Sequence, residues 1–316
     1  MLAAFIAVAA SAVVNQNATP TRIPARASVE AASKDEDLAP LDGETIGARA
    51  DRQFRLTVPV HVEGHGPFRF MIDTGAQRTV LSASLAQQLG LAAGPRIRVV
   101  GIVQDTQVPS AKVGNLDLGP INLSHMQVPL LDRAHMGADG IIGTDTLQDQ
   151  RVLLDFSREL MTLDDADADG GNGGNGGNGG YEIVVKARRK SGQLIIANAR
   201  LDGINVAVII DTGAETSIGN RALQAALGRR GQSFAPVLVE SVTGHSVLAE
   251  VGSAEKLTMR DVVITNPAIA FTDTPAFEEI GLADKPALFL GMREMRVFRR
   301  VAIDFPRKRV LFDLPG

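Results

Sequence analysis

One stretch of this chain occurs twice, and each copy contains the tetrapeptide Asp-Thr-Gly-Ala. The first copy reads MIDTGAQRTVLS over residues 71–82, and the second reads IIDTGAETSIGN over residues 209–220. The agreement continues beyond the tetrapeptide, since each Asp is followed by Leu after 12 and 16 positions and by Gly after 17. Offsets that agree at so many places predict two lobes with one fold, related by an approximate two-fold axis.

The sequence around both copies predicts the same order of elements. Two strands joined by a turn precede each Asp, and the turns are expected at residues 64–66 and 202–203. A short amphipathic helix follows each copy, and Ser82 and Gly90 suit the two ends of the first one. Each lobe then has an apolar run that ends in Gly, followed by a closing hairpin; the runs are GIIG at 140–143 and LFLG at 288–291. The chain is therefore expected to be mostly β, with two β-rich lobes and a short helix in each.

A low-complexity tract separates the two lobes. It reads DDADADGGNGGNGGNGG and ends at residue 180, and such a tract behaves as a flexible linker. No Lys-Ser or Lys-Thr follows its glycines, so it does not resemble a phosphate-binding loop. We therefore divide the chain into an N-terminal signal or anchor with a polar tail, a first lobe, a linker and a second lobe, over residues 1–47, 48–164, 165–180 and 181–316.

The first residues of the chain indicate export. The apolar run over residues 2–14 is too short to span a bilayer but suits the hydrophobic region of a signal peptide. Small residues offer a cleavage site, although the usual positive charges before the run are missing. The alternatives are an uncleaved anchor that tethers the protein to a membrane and a buried N-terminal helix. We expect an exported protein, periplasmic or membrane-anchored.

Composition excludes several classes of function. The formal net charge is −4 and no basic stripe is present, so a nucleic-acid partner has no electrostatic support. The absence of Cys excludes disulfides, thiolate nucleophiles and thiolate metal sites. His61, Glu63 and His65 alternate at a spacing that suits metal ligands, but a solvated hairpin edge is the preferred interpretation because no further cluster follows. We expect neither a metal nor a cofactor.

The paired acids predict a specific chemistry. If the two lobes contact each other through the same surface, Asp73 lies against Asp211. Two carboxylates a few ångströms apart do not both ionise easily and share a proton, so one acts as a base and the other as an acid. A water held between them could then hydrolyse a substrate by general acid–base catalysis, without a covalent intermediate. Asp73 and Asp211 are the candidate catalytic residues.

The three residues after each Asp are expected to support this pair. The Thr hydroxyls can form hydrogen bonds across the two-fold axis, the Gly residues allow the backbone to approach a carboxylate closely, and the Ala residues fit a crowded turn. A single Asp-Thr-Gly could instead be a tight turn in which Asp accepts hydrogen bonds from the backbone, but two copies at matched offsets favour the catalytic interpretation. The supporting residues are Thr74, Gly75, Ala76, Thr212, Gly213 and Ala214.

These segments resemble the active-site segment of retropepsin-like aspartic proteases, and DGIIGTDTL at 139–147 resembles the strand and helix that follow it in that family. The resemblance implies a bilobal fold of two pseudo-symmetric, β-barrel-like lobes, with Asp73 and Asp211 as the catalytic dyad. Retropepsins dimerise to bring two such units together. Because this chain carries both units, it is expected to be a monomer that contains an intramolecular pseudo-dimer.

The family also places a flap hairpin over its cleft. Residues 99–109 and 239–251 are the candidates here, and each has two apolar runs around a turn. Neither contains Tyr, unlike the flap of pepsin-like enzymes, so two retropepsin-like flaps are expected. Their candidate tip residues are Gly101, Ile102, Val103, Val242, Thr243 and Gly244.

The sequence thus predicts an aspartic endopeptidase that hydrolyses a peptide or protein substrate. The alternative is a retropepsin-like module that binds peptides without cleaving them. The enzyme is favoured because both Asp residues are present. The apolar flaps further suggest hydrophobic residues beside the scissile bond.

Overall fold

The computed structural model describes residues 4–5, 10–13, 28–29, 44–47, 49–50, 55–165, 181, 183–229 and 231–315. The predicted linker over 165–180 lies outside these residues except for Asp165, and so does most of the predicted tail over 1–47. No helix within the described ranges is long and apolar enough to cross a membrane.

The first part of the described chain contains fourteen strands and three helices. The strands are β1 Ala4–Phe5, β2 Ala10–Val13, β3 Ser28–Val29, β4 Glu44–Gly47, β5 Arg49–Ala50, β6 Leu56–Val62, β7 His65–Ile72, β8 Val80–Ser82, β9 Ala93–Val100, β10 Asp105–Leu118, β11 Ile121–Leu131, β12 Gly140–Ile142, β13 Gln150–Asp155 and β14 Leu160–Asp165. The helices are α1 Ala83–Gln88, α2 Arg133–Met136 and α3 Thr144–Leu147.

The second part contains thirteen strands and three helices. The strands are β15 Ile183–Lys186, β16 Arg188–Lys190, β17 Gln193–Leu201, β18 Ile204–Ile210, β19 Ser217–Gly219, β20 Ala235–Ser241, β21 Ser246–Ser253, β22 Lys256–Met259, β23 Val262–Thr265, β24 Ala268–Phe271, β25 Ala287–Leu290, β26 Arg300–Asp304 and β27 Arg309–Asp313. The helices are α4 Arg221–Gly228, α5 Pro275–Glu279 and α6 Met292–Met295.

The strands form three sheets. The first lobe is a nine-stranded sheet in the order β1-β9-β10-β11-β8-β12-β7-β6-β5, and pairing of β10 with β6 closes it into a barrel-like ring. The second lobe is a twelve-stranded sheet in which β20-β21-β24-β19-β25-β18-β17 repeats the order β9-β10-β11-β8-β12-β7-β6 of the first. Pairing of β17 with β22 corresponds to the pairing of β6 with β10. The prediction of a mostly β, bilobal fold is therefore confirmed.

Local sequence explains the strands that lead to each motif. In β6, Val58, Val60 and Val62 are buried whereas Pro59 and His61 face solvent, which is the alternation of a half-buried strand. The turn that follows is Glu63-Gly64, with φ values of +52° and +73°. It was expected at residues 64–66, and it lies one residue earlier because a two-residue turn needs positive φ at both positions.

The helices are more numerous than the single helix predicted for each lobe. The two predicted helices are present as α1 and α4, and their first turns are capped by the side chains of Ser82 and Asn220. Helix α3 is the helix that the resemblance of residues 139–147 implies. The other three helices contain four or five residues each. Segments of that length are too short to show a helical period in the sequence.

A six-stranded sheet joins the two lobes, in the order β15-β27-β26-β13-β14-β4. The closing hairpins predicted from the sequence form its centre, and β13 pairs with β26 in antiparallel register, with Leu153 opposite Ala302. The sequence did not indicate that the two hairpins pair with each other. One hydrophobic cluster extends from Leu56 in the first lobe to Phe312 in the second, so the two lobes share a core.

Buried ion pairs stabilise this joining sheet. Asp304 is fully buried and accepts a hydrogen bond from Arg309 Nε at 2.8 Å and another from the backbone N–H of Arg307 at 3.0 Å. Asp313 is also fully buried and accepts a hydrogen bond from Arg300 Nε. Removing one partner of a buried ion pair leaves the other charge without compensation.

We expect Asp304→Ala to lower the free energy of unfolding by about 1–3 kcal/mol, because the partly buried guanidinium of Arg309 and the N–H of Arg307 lose the carboxylate that accepts from them. Asp261→Ala is the matched control, since Asp261 pairs with Arg260 on the surface at 3.3 Å. The control should change the free energy by less than about 0.5 kcal/mol. Urea unfolding of both variants measures the difference, and equal losses would contradict the role given to the buried pair.

Candidate active site

Strands from the apolar runs hold both motif Asp residues in place. The N–H of Asp73, which follows β7, donates to the carbonyl of Ile142 at 3.0 Å. The N–H of Asp211, which follows β18, donates to the carbonyl of Leu290 at the same distance. The strands β12 and β25, which carry these carbonyls, run parallel to β7 and β18. The apolar run of each lobe, GIIG in the first and LFLG in the second, therefore fixes the backbone of the Asp in that lobe.

Two Thr residues connect the lobes at the motifs. Thr74 Oγ1 donates to the carbonyl of Ile210 at 2.8 Å, and Thr212 Oγ1 donates to the carbonyl of Ile72 at 2.8 Å. Each hydroxyl also accepts from the N–H of the other Thr, at 3.0 and 3.2 Å. All four hydrogen bonds are buried and cross between the lobes. They fix the distance and orientation of the two motif loops.

Backbone N–H groups hold each carboxylate by one oxygen. Asp73 Oδ1 accepts from the N–H groups of Gly75 and Ala76, at 2.8 and 2.9 Å. The corresponding distances to Asp211 Oδ1 are 3.0 and 3.2 Å. The other oxygen, Oδ2, is buried on both residues and has no hydrogen-bond partner among the described side chains and backbone. A proton shared by the two carboxyls would satisfy both Oδ2 atoms.

The motif Gly residues bring each loop against the opposite carboxyl. A Cβ on Gly75 would lie 2.7 Å from Asp211 Cγ, and a Cβ on Gly213 would lie still closer to the Asp73 carboxyl. No side chain fits at such distances. The two Gly residues are thus required because the facing Asp occupies the space of a side chain.

Burial changes the ionisation of both acids. It raises the pKa of Asp73 to about 7, although the N–H donors of Ala76 and Gly75 act in the opposite direction. Burial and, next, the negative charge of Asp73 raise the pKa of Asp211 well above its ordinary value. Both shifts have the same direction, so the pair keeps one proton to a pH above the ordinary pKa of Asp. The pair can provide a base and an acid at the same pH.

Two buried polar residues near the motifs were not predicted. Arg55 lowers the pKa of Asp73 through its charge and donates to the carbonyl of Met136 at 3.0 Å. Gln193 is fully buried and donates from Nε2 to the carbonyl of Gly75 in the other lobe. Each of them stands 18 positions before the Asp of its own lobe. A search for polar residues at equal offsets could have found both.

A second pair of hydroxyls stiffens the loops after the motifs. Thr79 Oγ1 and Ser217 Oγ, each six positions after its Asp, accept from the N–H of Gly143 at 3.2 Å and of Gly291 at 3.0 Å. Thr79 donates to Asp145, and Ser217 donates to the buried Glu294. These bonds connect each motif loop to the helix after its apolar run.

The candidate flap residues lie at the tips of two hairpins. Gly101, Ile102 and Val103 are in the turn between β9 and β10, and the other three candidates are in the turn between β20 and β21. Ile102 is buried in a cluster otherwise made mainly of second-lobe residues, and Val242 is buried in a cluster otherwise made of first-lobe residues. Each tip therefore packs on the opposite lobe. The cluster that holds Val242 includes Ala76, and the cluster that holds Ile102 includes Ala214, so both tips pack in clusters that contain a motif residue.

The two tips also contact each other. Gln104 Nε2 and His245 Nε2 lie 2.9 Å apart, and a Cβ on Gly101 would lie 3.4 Å from Thr243. The sequence analysis did not identify Gln104 or His245. Only the packing of one hairpin against the other makes them neighbours.

The HVEGH segment provides no grouped ligands. Its Glu63 lies in a turn with positive φ, and its carboxylate accepts a hydrogen bond from the N–H of Gly114. His61 and His65 belong to the strands on either side of that turn. Within the described ranges, no group of three or more His, Asp or Glu side chains could hold a metal ion.

Two family models match this chain. Residues 58–149 match the model described as gag-polyprotein putative aspartyl protease, and residues 197–293 match the model described as aspartyl protease. Together the two matches cover more than half of the chain. The chain belongs to the retropepsin-like aspartic protease family. Each match contains one motif Asp, so the duplication seen in the sequence is a duplication of this protease unit.

The exchange of hydrogen bonds between Thr74 and Thr212 can be tested in this retropepsin-like chain. We expect Thr212→Val to lower the free energy of unfolding by about 1–3 kcal/mol, because it leaves the buried N–H of Thr74 and the carbonyl of Ile72 without their partner. Thr212→Ser keeps the hydroxyl and is the matched control. Denaturant unfolding measures both variants, and a Val variant as stable as the Ser variant would contradict this role.

Proposed function

We propose that this protein is an aspartic endopeptidase in which Asp73 and Asp211 activate water for peptide hydrolysis. The observation that carries the proposal is the approach of each motif Gly to the opposite carboxyl, which sets the two buried acids side by side. Membership of the aspartic protease family supports it. The raised pKa values of both carboxyls support a singly protonated pair.

The roles of the two acids follow from the single proton that they share. The ionised carboxyl of the pair is the general base and takes a proton from a water, while the protonated carboxyl donates to the carbonyl oxygen of the substrate. The water oxygen forms a bond to the carbonyl carbon, which becomes tetrahedral. The C–N bond then breaks, the amine leaves with a proton from the carboxyl that acted as base, and the other carboxyl recovers its proton from a hydroxyl. One water is consumed, and no covalent enzyme intermediate forms.

Apolar clusters beside the pair support hydrophobic substrates. In the first lobe, Ala76, Val80 and Ile141 pack with the tip residue Val242. In the second lobe, Ala214 and Ile218 pack with Ile102. An extended peptide that separates the flaps from the lobes would place alternate side chains against these apolar surfaces. We therefore propose hydrophobic residues on both sides of the scissile bond.

We further propose that the protein acts as a monomer, because one chain supplies both carboxyls and both flaps. Its partner is the peptide or protein substrate. Export remains a prediction that depends on the apolar run over residues 2–14.

We expect Asp73→Asn and Asp211→Asn each to lower kcat for an apolar peptide by about 10³-fold or more, since each variant removes one of the two proton-transfer groups. Asp261→Asn, at an exposed carboxylate, is the matched control and should keep full activity. Circular dichroism and urea unfolding verify that the variants are folded. Full activity in either dyad variant would contradict the proposal, and peptide binding without cleavage by the wild-type protein would favour the non-catalytic module.

The pH dependence of kcat/KM provides an independent test. The value should rise with pH as the pair loses its first proton and fall at higher pH as it loses the second. Because burial raises both pKa values, the rising limb should lie well above 3.8, the ordinary pKa of Asp. Initial rates with an uncharged peptide from about pH 3 to about pH 10 measure the profile, whose two apparent pKa values belong to the pair. A rising limb that is complete below pH 3.8 would contradict the assignment.

A further inference from the structure

A basic cleft lies at the edge of the central sheet, where three elements of the second lobe meet. These elements are the end of β15, the turn between β22 and β23, and the turn between β26 and β27. The cleft has a volume of about 580 Å³. Its charged lining consists of five cations and one carboxylate, namely Lys186, Arg260, Asp261, Arg307, Lys308 and Arg309.

Two hydrogen bonds hold these elements together. The guanidinium of Arg260 donates from Nη1 to the carbonyl of Val184 in β15 at 2.9 Å. The N–H of Ala187, just after β15, donates to the carbonyl of Lys308 at 2.8 Å. The backbone that carries the cations is therefore fixed, so the charges of three separate elements face one cleft.

The cleft carries a positive charge in a chain whose formal net charge is −4. Its five cations and one acid give it a net charge of +4. The buried Asp304 reduces this excess by one, because it pairs with Arg309 at 2.8 Å and with Arg307 at 3.6 Å. Among the described residues, three positive charges thus lack a compensating acid at this cleft. Such an excess favours the binding of an anion.

Two of the cations, Lys186 and Lys308, have no ionic partner within the part of the chain that the structure describes. Lys186 lies directly opposite Arg309 in the register of β15 and β27. Like charges opposite each other on adjacent strands repel, which destabilises the pairing of the strands. A bound anion would remove this repulsion.

The duplication allows the cations on the strands to be compared with their counterparts in the first lobe. There β4 pairs with β14 as β15 pairs with β27. In this register Gly47 lies opposite Leu160. The corresponding residues of the second lobe are Lys186 and Arg309. Two facing cations thus stand where the first lobe has two uncharged residues, so the pairing of these strands does not require them.

The two turns differ between the lobes in the same way. Gly119 follows β10 with a φ of +55°, and its counterpart Arg260 follows β22 with a φ of +57°. Glu159 precedes β14 with a φ of +53°, and its counterpart Lys308 precedes β27 with a φ of +52°. Because left-handed backbone favours Gly, Arg260 replaces the residue type that fits this turn best. These cations are specific to the second lobe, which indicates a function of their charge rather than a requirement of the fold.

The lining favours a compact anion that carries phosphate groups. Three of the five cations are Arg, whose guanidinium offers several N–H donors to one phosphate. A terminal phosphate group carries about 1.5–2 negative charges at neutral pH, so about two such groups balance the uncompensated cations. Apolar lining among the described residues is confined to Val184 and Ala187, which offers little support to an aromatic base or an acyl chain.

The position of exposed apolar side chains favours a soluble anion over a lipid headgroup. Leu238 and Leu248 are the large hydrophobic side chains that are exposed among the described residues, and both belong to the hairpin of β20 and β21. A surface that enters a membrane interface presents apolar side chains beside its cations. The basic cleft has no such neighbours in its described lining.

We propose that the cleft between β15 and the two turns binds a soluble anion with two or more phosphate groups. The anion contacts Lys186, Arg260 and Lys308, which belong to three different elements. It therefore holds the edge strand of the central sheet against both turns, and its binding stabilises the folded chain. This site is independent of the proposed peptidase activity.

The test is isothermal titration calorimetry of the full chain with sodium tripolyphosphate. The wild-type protein should bind at one site, and its affinity should fall as NaCl increases from about 50 to about 200 mM, because salt screens exposed charges. Lys186→Gln with Lys308→Gln should weaken binding by about tenfold or more. Neither Lys pairs with a described acid, so the double variant leaves no carboxylate unpaired.

Lys112→Gln with Lys285→Gln is the matched control. It removes the same charge from two exposed Lys residues on β10 and on the turn before β25. Its affinity for tripolyphosphate should stay within about twofold of the wild-type value, since distant exposed charges are screened. Equal losses in the two double variants would overturn the proposal, and so would an absence of binding by the wild-type protein.

Arg260→Gly tests the comparison between the lobes. It gives the second lobe the residue type that Gly119 provides in the first, and Gly suits a φ of +57°. The variant should therefore fold, which circular dichroism and thermal unfolding verify, while its affinity for tripolyphosphate falls by about fivefold or more. A folded variant with unchanged affinity would overturn the role given to Arg260 and the proposed site with it.

Further titrations identify the kind of anion. Tighter binding of tripolyphosphate than of a pentaglutamate peptide, without binding to phosphatidylglycerol vesicles, would support the proposal; phosphatidylcholine vesicles are the lipid control. Equal binding of the peptide would overturn the assignment to phosphate, and binding to phosphatidylglycerol vesicles alone would overturn the soluble source. Tripolyphosphate binding that occurs only after Asp167→Asn with Asp169→Asn would show that the acidic tract of the chain itself takes the cleft, which would also overturn the proposal.

Discussion

The exchange of hydrogen bonds between Thr74 and Thr212 is the interaction on which the site depends. Each hydroxyl donates to a carbonyl of the opposite lobe and accepts an N–H from it, so four buried bonds define the contact between the loops. With that contact fixed, each motif Gly must lie against the opposite carboxyl. Two acids from distant parts of the chain then lie side by side in a buried site. The shared central sheet, in which β13 pairs with β26, joins the two lobes a second time.

Burying two carboxyls is unfavourable, and the loops reduce this cost in two ways. Backbone N–H groups of the tight turns hold one oxygen of each acid, which favours the ionised form. The remaining oxygens face a partner that can retain a proton, because burial and the charge of Asp73 keep the pKa of Asp211 high. The same buried environment that makes the pair costly thus raises the pKa of both carboxyls, which is the property that the proposed acid–base chemistry requires.

The two candidate flaps tie the lobes together at the motifs. Ile102 and Val242 each pack on the lobe opposite to their own, so that the position of each hairpin depends on both lobes. The strands β9 and β20 also pair with residues from the beginning of the chain. Apolar packing beside the motifs and backbone pairing along the hairpin strands are the features that an extended apolar peptide, the proposed substrate, requires.

The duplication in the sequence was enough to predict the two-lobed architecture of this protein and its candidate site. Repeated offsets predicted two β-rich lobes, the pairing of Asp73 with Asp211, and supporting roles for the Thr and Gly residues between motif and helix, because a repeated unit that carries one acid implies a two-fold pair. Only the tertiary structure decided the central sheet, the hydrogen bonds that Arg55 and Gln193 form, and the contact of Gln104 with His245. These features join residues that are far apart in the chain and have no local periodic pattern. Their positions follow from how the two lobes pack, which no single segment encodes.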